Sequence, residues 1–245
     1  MNNLDYLNGQ QSFSTASAAQ AELSMSSYLS KTMQRIFGKM FMGILVTAFV
    51  SLGIATTPSL LEVVFSSKIL FFGLIFAQLG LVIWLTAGIN KMSAGTASLL
   101  FYLYSAITGV TLTPIFFAYT GDSIVKTFFI TAGTFGAMAI YGYVTKKDLT
   151  KMGSILVMAL IGLIIVSVVN IFLASSALAW GISAAGVIIF IGLTAWDVQK
   201  IKQMAMETSE RNVGKLSAIG ALTLYLDFIN LFLYLLRIFG GNNKE

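Results

Sequence analysis

From Met152 to Trp196 the chain runs 45 residues without one charged side chain. A soluble globular domain carries about one charged residue in four, so a run of this length belongs in hydrocarbon. A helix needs about 20 apolar residues to cross about 30 Å of bilayer core. This run therefore holds two spans, and the spacing predicts a break near Ala174-Ser175-Ser176-Ala177. Four more uncharged runs, 40–61, 69–90, 92–121 and 127–145, are each long enough for one span. A seventh lies between Leu216 and Leu236, interrupted only by Asp227. The pattern predicts an all-α, polytopic membrane protein with seven transmembrane helices.

Seven spans in 245 residues leave only short loops, so the fold core must be the bundle itself and residues 31–245 form one domain. Residues 1–30 are rich in Ser, Ala, Gln and Asn and lack the apolar core of a secretory signal. They read as a polar N-terminal tail. The chain has no cysteine, which excludes disulfide and thiol chemistry, and no histidine, the commonest ligand of catalytic zinc. No cofactor is expected.

The net charge of +5 does not mark a nucleic-acid protein, because the basic residues sit beside hydrophobic spans. They fit orientation instead. With the N-terminus cytoplasmic, 11 of the 15 basic residues, among them Lys31, Arg35, Lys39, Lys91, Lys146, Lys147, Lys200, Lys202 and Lys215, face inward. Only Lys68, Lys126, Arg237 and Lys244 face outward.

Eight of the ten acids fall in tails or loops, and two do not. Asp197 stands at the cytoplasmic end of the sixth span. Asp227 lies 11 residues beyond Leu216, about 16 Å into the bilayer at 1.5 Å per residue. A charged aspartate there costs about 2.5 to 3.5 kcal/mol on insertion scales, so it faces the bundle interior and marks a partner, a polar path or a proton site. The two spans are consecutive and antiparallel, which allows the acids to meet if the sixth helix continues past Lys202 or the seventh begins nearer Ile219. Two carboxyls sharing one site titrate as a unit, and without histidine such a unit is the obvious sensor of mildly acid pH. The bland readings are an interfacial pairing of Asp197 with Lys200, and a structural role for Asp227 satisfied by Asn230 and Tyr234 on the same helical face. Gln78 reads as interhelical glue or a further polar contact.

The stretches GVTLTPIFFAYTGDSIVKTFFITAGTFGAMAIYGYVTKKDLTKMG (109–153), AWDVQKIK (195–202) and ALTLYLDFINLFLYLLRIFGG (221–241) resemble the Bax inhibitor family of membrane proteins, in its bacterial branch. That resemblance covers nearly all of the chain after residue 30. It implies a bundle with the seventh helix central and a bacterial inner-membrane location. It also implies that Asp197 and Asp227 match a di-aspartyl sensor whose protonation opens or closes a calcium leak, with calcium held at low affinity. Close relatives latch one aspartate with an arginine at the cytoplasmic end of the second span. Here that region reads WLTAGINKMSAG, so Lys91 is the only candidate latch, and an ammonium lacks the fork that grips a carboxylate in two places.

Two other functions compete with a pH-sensitive cation leak. One is regulatory: bacterial relatives are implicated in restraining a membrane-bound quality-control protease, a role that needs no transport. The other is intramembrane aspartyl proteolysis, which also uses two aspartates on neighbouring helices. Such proteases carry YD and GxGD motifs, whereas Asp197 follows Trp196 and Asp227 follows Leu224-Tyr225-Leu226. The chain is therefore read as a non-enzyme whose partners are the lipid bilayer and calcium or protons.

Overall fold

The computed structural model describes residues 3–241. Among them are nine α-helices: α1 (Asn3–Ala55), α2 (Pro58–Phe65), α3 (Lys68–Gly88), α4 (Ala94–Leu112), α5 (Ile115–Ala118), α6 (Gly121–Val144), α7 (Thr150–Leu173), α8 (Ser176–Glu207) and α9 (Val213–Phe239). Seven spans are long and apolar enough to cross a membrane: α1 from Glu22 onward, α3, α4 continued through α5, α6, α7, α8 and α9. The fold is the all-α polytopic bundle that the uncharged runs predict.

Local chemistry explains the breaks. Ala174 takes a left-handed φ of 48° and caps α7, and Ser175 then opens α8 by accepting a hydrogen bond from Leu178 N. This is the interruption expected in the 45-residue uncharged run. Pro114 has no N–H to donate, and the third span breaks there into α4 and the short α5. Between α6 and α7, Asp148 accepts from Thr150 N at 2.9 Å. Hydrogen bonds from the Thr150 hydroxyl and backbone hold the exposed Asp148 carboxyl below its ordinary range.

Two boundaries differ from the sequence reading. The first span covers 22–55 rather than 40–61, because Lys31, Arg35 and Lys39 ride on the helix without ending it. The backbone from Asn3 to residue 30, expected as a separate tail, is helical and enters the first span unbroken. Near its end Leu29 is buried and the Tyr28 hydroxyl donates to Thr208 O at 2.6 Å.

α9 is the centre of the bundle. It packs against α8, α1, α6 and α4, while α3 packs on α4 and α7 on α8. Of its most apolar stretch, 61% is buried inside the protein, against 6% for α3 and α7. The central seventh span that the resemblance implies is thus surrounded by an inner ring of four helices with two outriggers. Lipid is as apolar as a protein core, so α3 and α7 expose Phe72, Phe76, Ile165 and Phe172 where a soluble protein would carry charge.

Candidate functional site

Each residue of the site is placed by the α8–α9 hairpin. α8 does continue past Lys202, to Glu207, and α9 begins at Val213. Asp197 therefore lies ten residues before the end of α8 and Asp227 fourteen after the start of α9, about 15 Å and about 21 Å from the turn. The structure sets the two carboxyls facing each other across the hairpin, close enough to interact directly. Both are buried, with 8% and 4% of their surface exposed. Among the described residues no hydrogen-bond partner reaches Asp227 Oδ2.

Close helix packing fixes the Asp197 side of this contact. Gly142 of α6 lies on the backbone of Ala195, and Gly153 of α7 lies on the ring of Trp196, so that a Cβ at either glycine would overlap α8. Small residues allow such approach in a membrane, where van der Waals contact holds helices together. Lys200, about one helical turn on, carries a positive charge whose field reaches Asp197. Its ammonium stands 4.8 Å from the centre of the Trp196 ring and forms no ion pair with Asp197.

The other residues singled out in the sequence lie elsewhere. Asn230 donates to Leu226 O of its own helix at 2.8 Å. The Tyr234 ring stacks on Phe190 and covers Gly186. No hydrogen bond joins either to Asp227, so the expectation that they satisfy it is not met: one amide is spent on a carbonyl one turn back, and one ring serves packing. Gln78 donates to Thr111 Oγ1 at 2.8 Å, bridging α3 to α4. Lys91 is exposed in a short 3-10 turn after α3 and makes no ion pair among the described residues. In its neighbourhood Lys215 of α9 donates to Asn90 O at 3.1 Å.

Three features escaped the sequence reading. Gln199, two residues past Asp197, accepts from Leu149 N at 2.9 Å and donates to Lys147 O at 2.8 Å. Lys202 donates to Tyr143 O at 2.7 Å with its ammonium over the Tyr143 ring. On another face of α9 the Tyr225 hydroxyl meets Thr47 Oγ1 at 2.6 Å, and Thr47 is also within reach of Gly43 O and Ser105 O. The signal for Gln199 was an amide inside the helix that carries Asp197. The Tyr225 cluster joins α1, α4 and α9 and has no local signature.

At the α8–α9 turn a polar cavity of about 610 Å³ is lined by Asn90, Glu207, Ser209, Asn212 and Lys215. Its apolar wall includes Leu216 and Ile219, about two helical turns short of Asp227. Among the described residues no cluster of three or more acids, histidines or cysteines accompanies the pair. Two carboxylates fall well short of the 6 to 8 oxygens that enclose calcium.

A family model described as "Inhibitor of apoptosis-promoting Bax1" matches residues 29–244. The chain belongs to the Bax inhibitor family. Members similar to it include the inner membrane protein YbhL of Escherichia coli K12, 53% identical over 212 residues, 85% of this chain and 91% of YbhL. An uncharacterized protein of Borreliella burgdorferi is 48% identical over 217 residues, covering 88% and 94% of the two chains. A Rickettsia prowazekii protein, RP147, is 44% identical over 220 residues, covering 89% and 92%. This Bax inhibitor family member is thus an integral membrane protein matched along most of its length, as the three quoted stretches implied.

Proposed function

We propose that this Bax inhibitor family member is a pH-sensitive calcium leak, with Asp197 and Asp227 as its gate. The observation that carries the reading is the buried contact of the two carboxyls between α8 and α9. An ionised carboxylate only accepts hydrogen bonds, so the contact holds while a proton lies between the two groups. Loss of that proton leaves two negative charges facing each other in an apolar interior, where like charges repel strongly. Either the helices part or a cation enters. Hard carboxylate oxygens suit calcium, and backbone carbonyls and water complete its shell. Low affinity follows, as conduction requires.

The polar cavity at the α8–α9 turn supplies the entrance from that side of the membrane. Basic residues concentrate at the same end of the spans, which makes it the cytoplasmic one under the positive-inside rule. The N-terminus is then cytoplasmic. The similarity to YbhL, an inner membrane protein of E. coli, supports an inner-membrane location.

Calcium flux into proteoliposomes, followed between about pH 5 and 8, tests the proposal. Flux through the native protein rises as the pair loses its proton, and Asp227→Asn abolishes that dependence. An identical profile in both proteins removes the pair from the mechanism. No flux in the native protein favours the regulatory role, binding a membrane protease without transport.

A further inference from the structure

α1 and α6 both pack against α9 yet scarcely touch each other, and the seam between them is not filled. At the end where α1 enters the bundle and α6 leaves it, a cavity of about 590 Å³ is lined by Met33, Gln34, Phe37, Phe135, Gly136 and Ala139, among others. Ile140, also on its wall, is 65% exposed, so the cavity opens sideways onto the bilayer. Farther along the seam a second cavity of about 330 Å³ lies over Phe228 and Phe232 of α9, walled by α1, α6 and the junction of α4 with α5. Both volumes fall in the range of about 300 to 1,000 Å³ that ligand sites occupy.

Basic residues adjoin the lining of the first cavity at one end. Tyr143 forms part of its wall, and Lys202 holds its ammonium against the Tyr143 carbonyl and ring. Lys31 follows the lining residue Ser30 on α1, and Lys146 lies three residues past Tyr143; both are exposed. None of the three forms an ion pair among the described residues. Asp148, the acid of the adjoining loop, is already engaged by Thr150 N. An apolar slot open to lipid, with unneutralised cations at its interfacial end, matches a molecule with an acyl chain and an anionic head.

We infer that the α1–α6 seam binds one anionic phospholipid, its chain in the slot and its phosphate near Lys31, Lys146 and Lys202. The inference rests on the chain spanning a membrane and is independent of the calcium reading. Gly136 offers a direct test, because a Cβ there meets nothing within 4 Å and a large side chain fills the slot from its wall. Gly133, one turn earlier on α6, is equally open but does not line the cavity.

Native mass spectrometry of the purified full chain, with phosphatidylglycerol or phosphatidylcholine of identical chains added, reads the binding. The native protein and Gly133→Phe are expected to keep one phosphatidylglycerol in preference to phosphatidylcholine, and Gly136→Phe to lose it. Replacing Lys31 or Lys146 by Gln is expected to cut phosphatidylglycerol retention roughly fivefold per cation and leave phosphatidylcholine unchanged. Equal retention of the two lipids by the native protein overturns the inference, as does undiminished retention by a folded Gly136→Phe. If that variant fails to fold, a phosphatidylglycerol with a photoreactive chain decides on the native protein. Adducts concentrated at 30–37 and 135–143 support the site, and adducts spread evenly over the lipid-facing helices reject it.

Discussion

Gln199 of α8 grips the α6–α7 loop at Leu149: its Oε1 accepts from the Leu149 N–H at 2.9 Å while its Nε2 donates to Lys147 O at 2.8 Å. Gln199 and Leu149 are both buried, so the contact fixes the segment of α8 that carries Asp197 to the loop beneath it. Gln199→Leu removes both bonds and leaves the Leu149 N–H without its partner, which costs about 1 to 3 kcal/mol. Thermal unfolding in detergent is expected to shift downward by a corresponding amount. An unchanged midpoint contradicts the bracing role.

Gly142→Ala places a methyl group on the backbone of Ala195, and backbone cannot rotate away as a side chain can. The expected loss is about 1 to 3 kcal/mol, with α8 displaced from α6. Gly133→Ala is the control, since its Cβ enters open space; it is expected to be neutral or stabilising through helix propensity. Thermal unfolding of the two variants side by side checks the difference.

Gln78→Leu breaks the bond to Thr111 Oγ1. Interhelical bonds of this kind are worth about 1 kcal/mol or less in membranes, so a small loss of stability is expected with the pH response of flux intact. A shifted pH response contradicts the placement of Gln78 outside the gate.

Lys91→Ala is expected to leave the pH midpoint of flux where it is in the native protein. Lys91 is exposed and pairs with no acid among the described residues. A shift of the midpoint restores it as a latch.

The fold was legible because its cause is one-dimensional. Uncharged length decides how many times the chain crosses hydrocarbon, and Ala174-Ser175 marks the one division that charge does not mark. Asp197 and Asp227 were legible for the same reason, as acids within apolar helices. The start of the first span was not, because charged residues at a membrane surface do not end a helix, and Lys31, Arg35 and Lys39 hide its continuation. Asn230 and Tyr234 show the limit of helical spacing: sharing a face with Asp227 does not commit an amide or a ring to it. The Tyr225–Thr47 contact joins residues 178 positions apart, a distance over which local pattern carries no information.

In the proposed mechanism one proton is held between Asp197 and Asp227, and its release opens the leak. Infrared titration of the protonated-carboxyl band, run on the reconstituted protein alongside calcium flux, measures this most directly. One protonated carboxyl is expected to be lost over the pH interval in which flux rises, with both changes absent in Asp197→Asn and in Asp227→Asn. Flux that rises with pH while the band stays constant, or a band that survives in both variants, contradicts it.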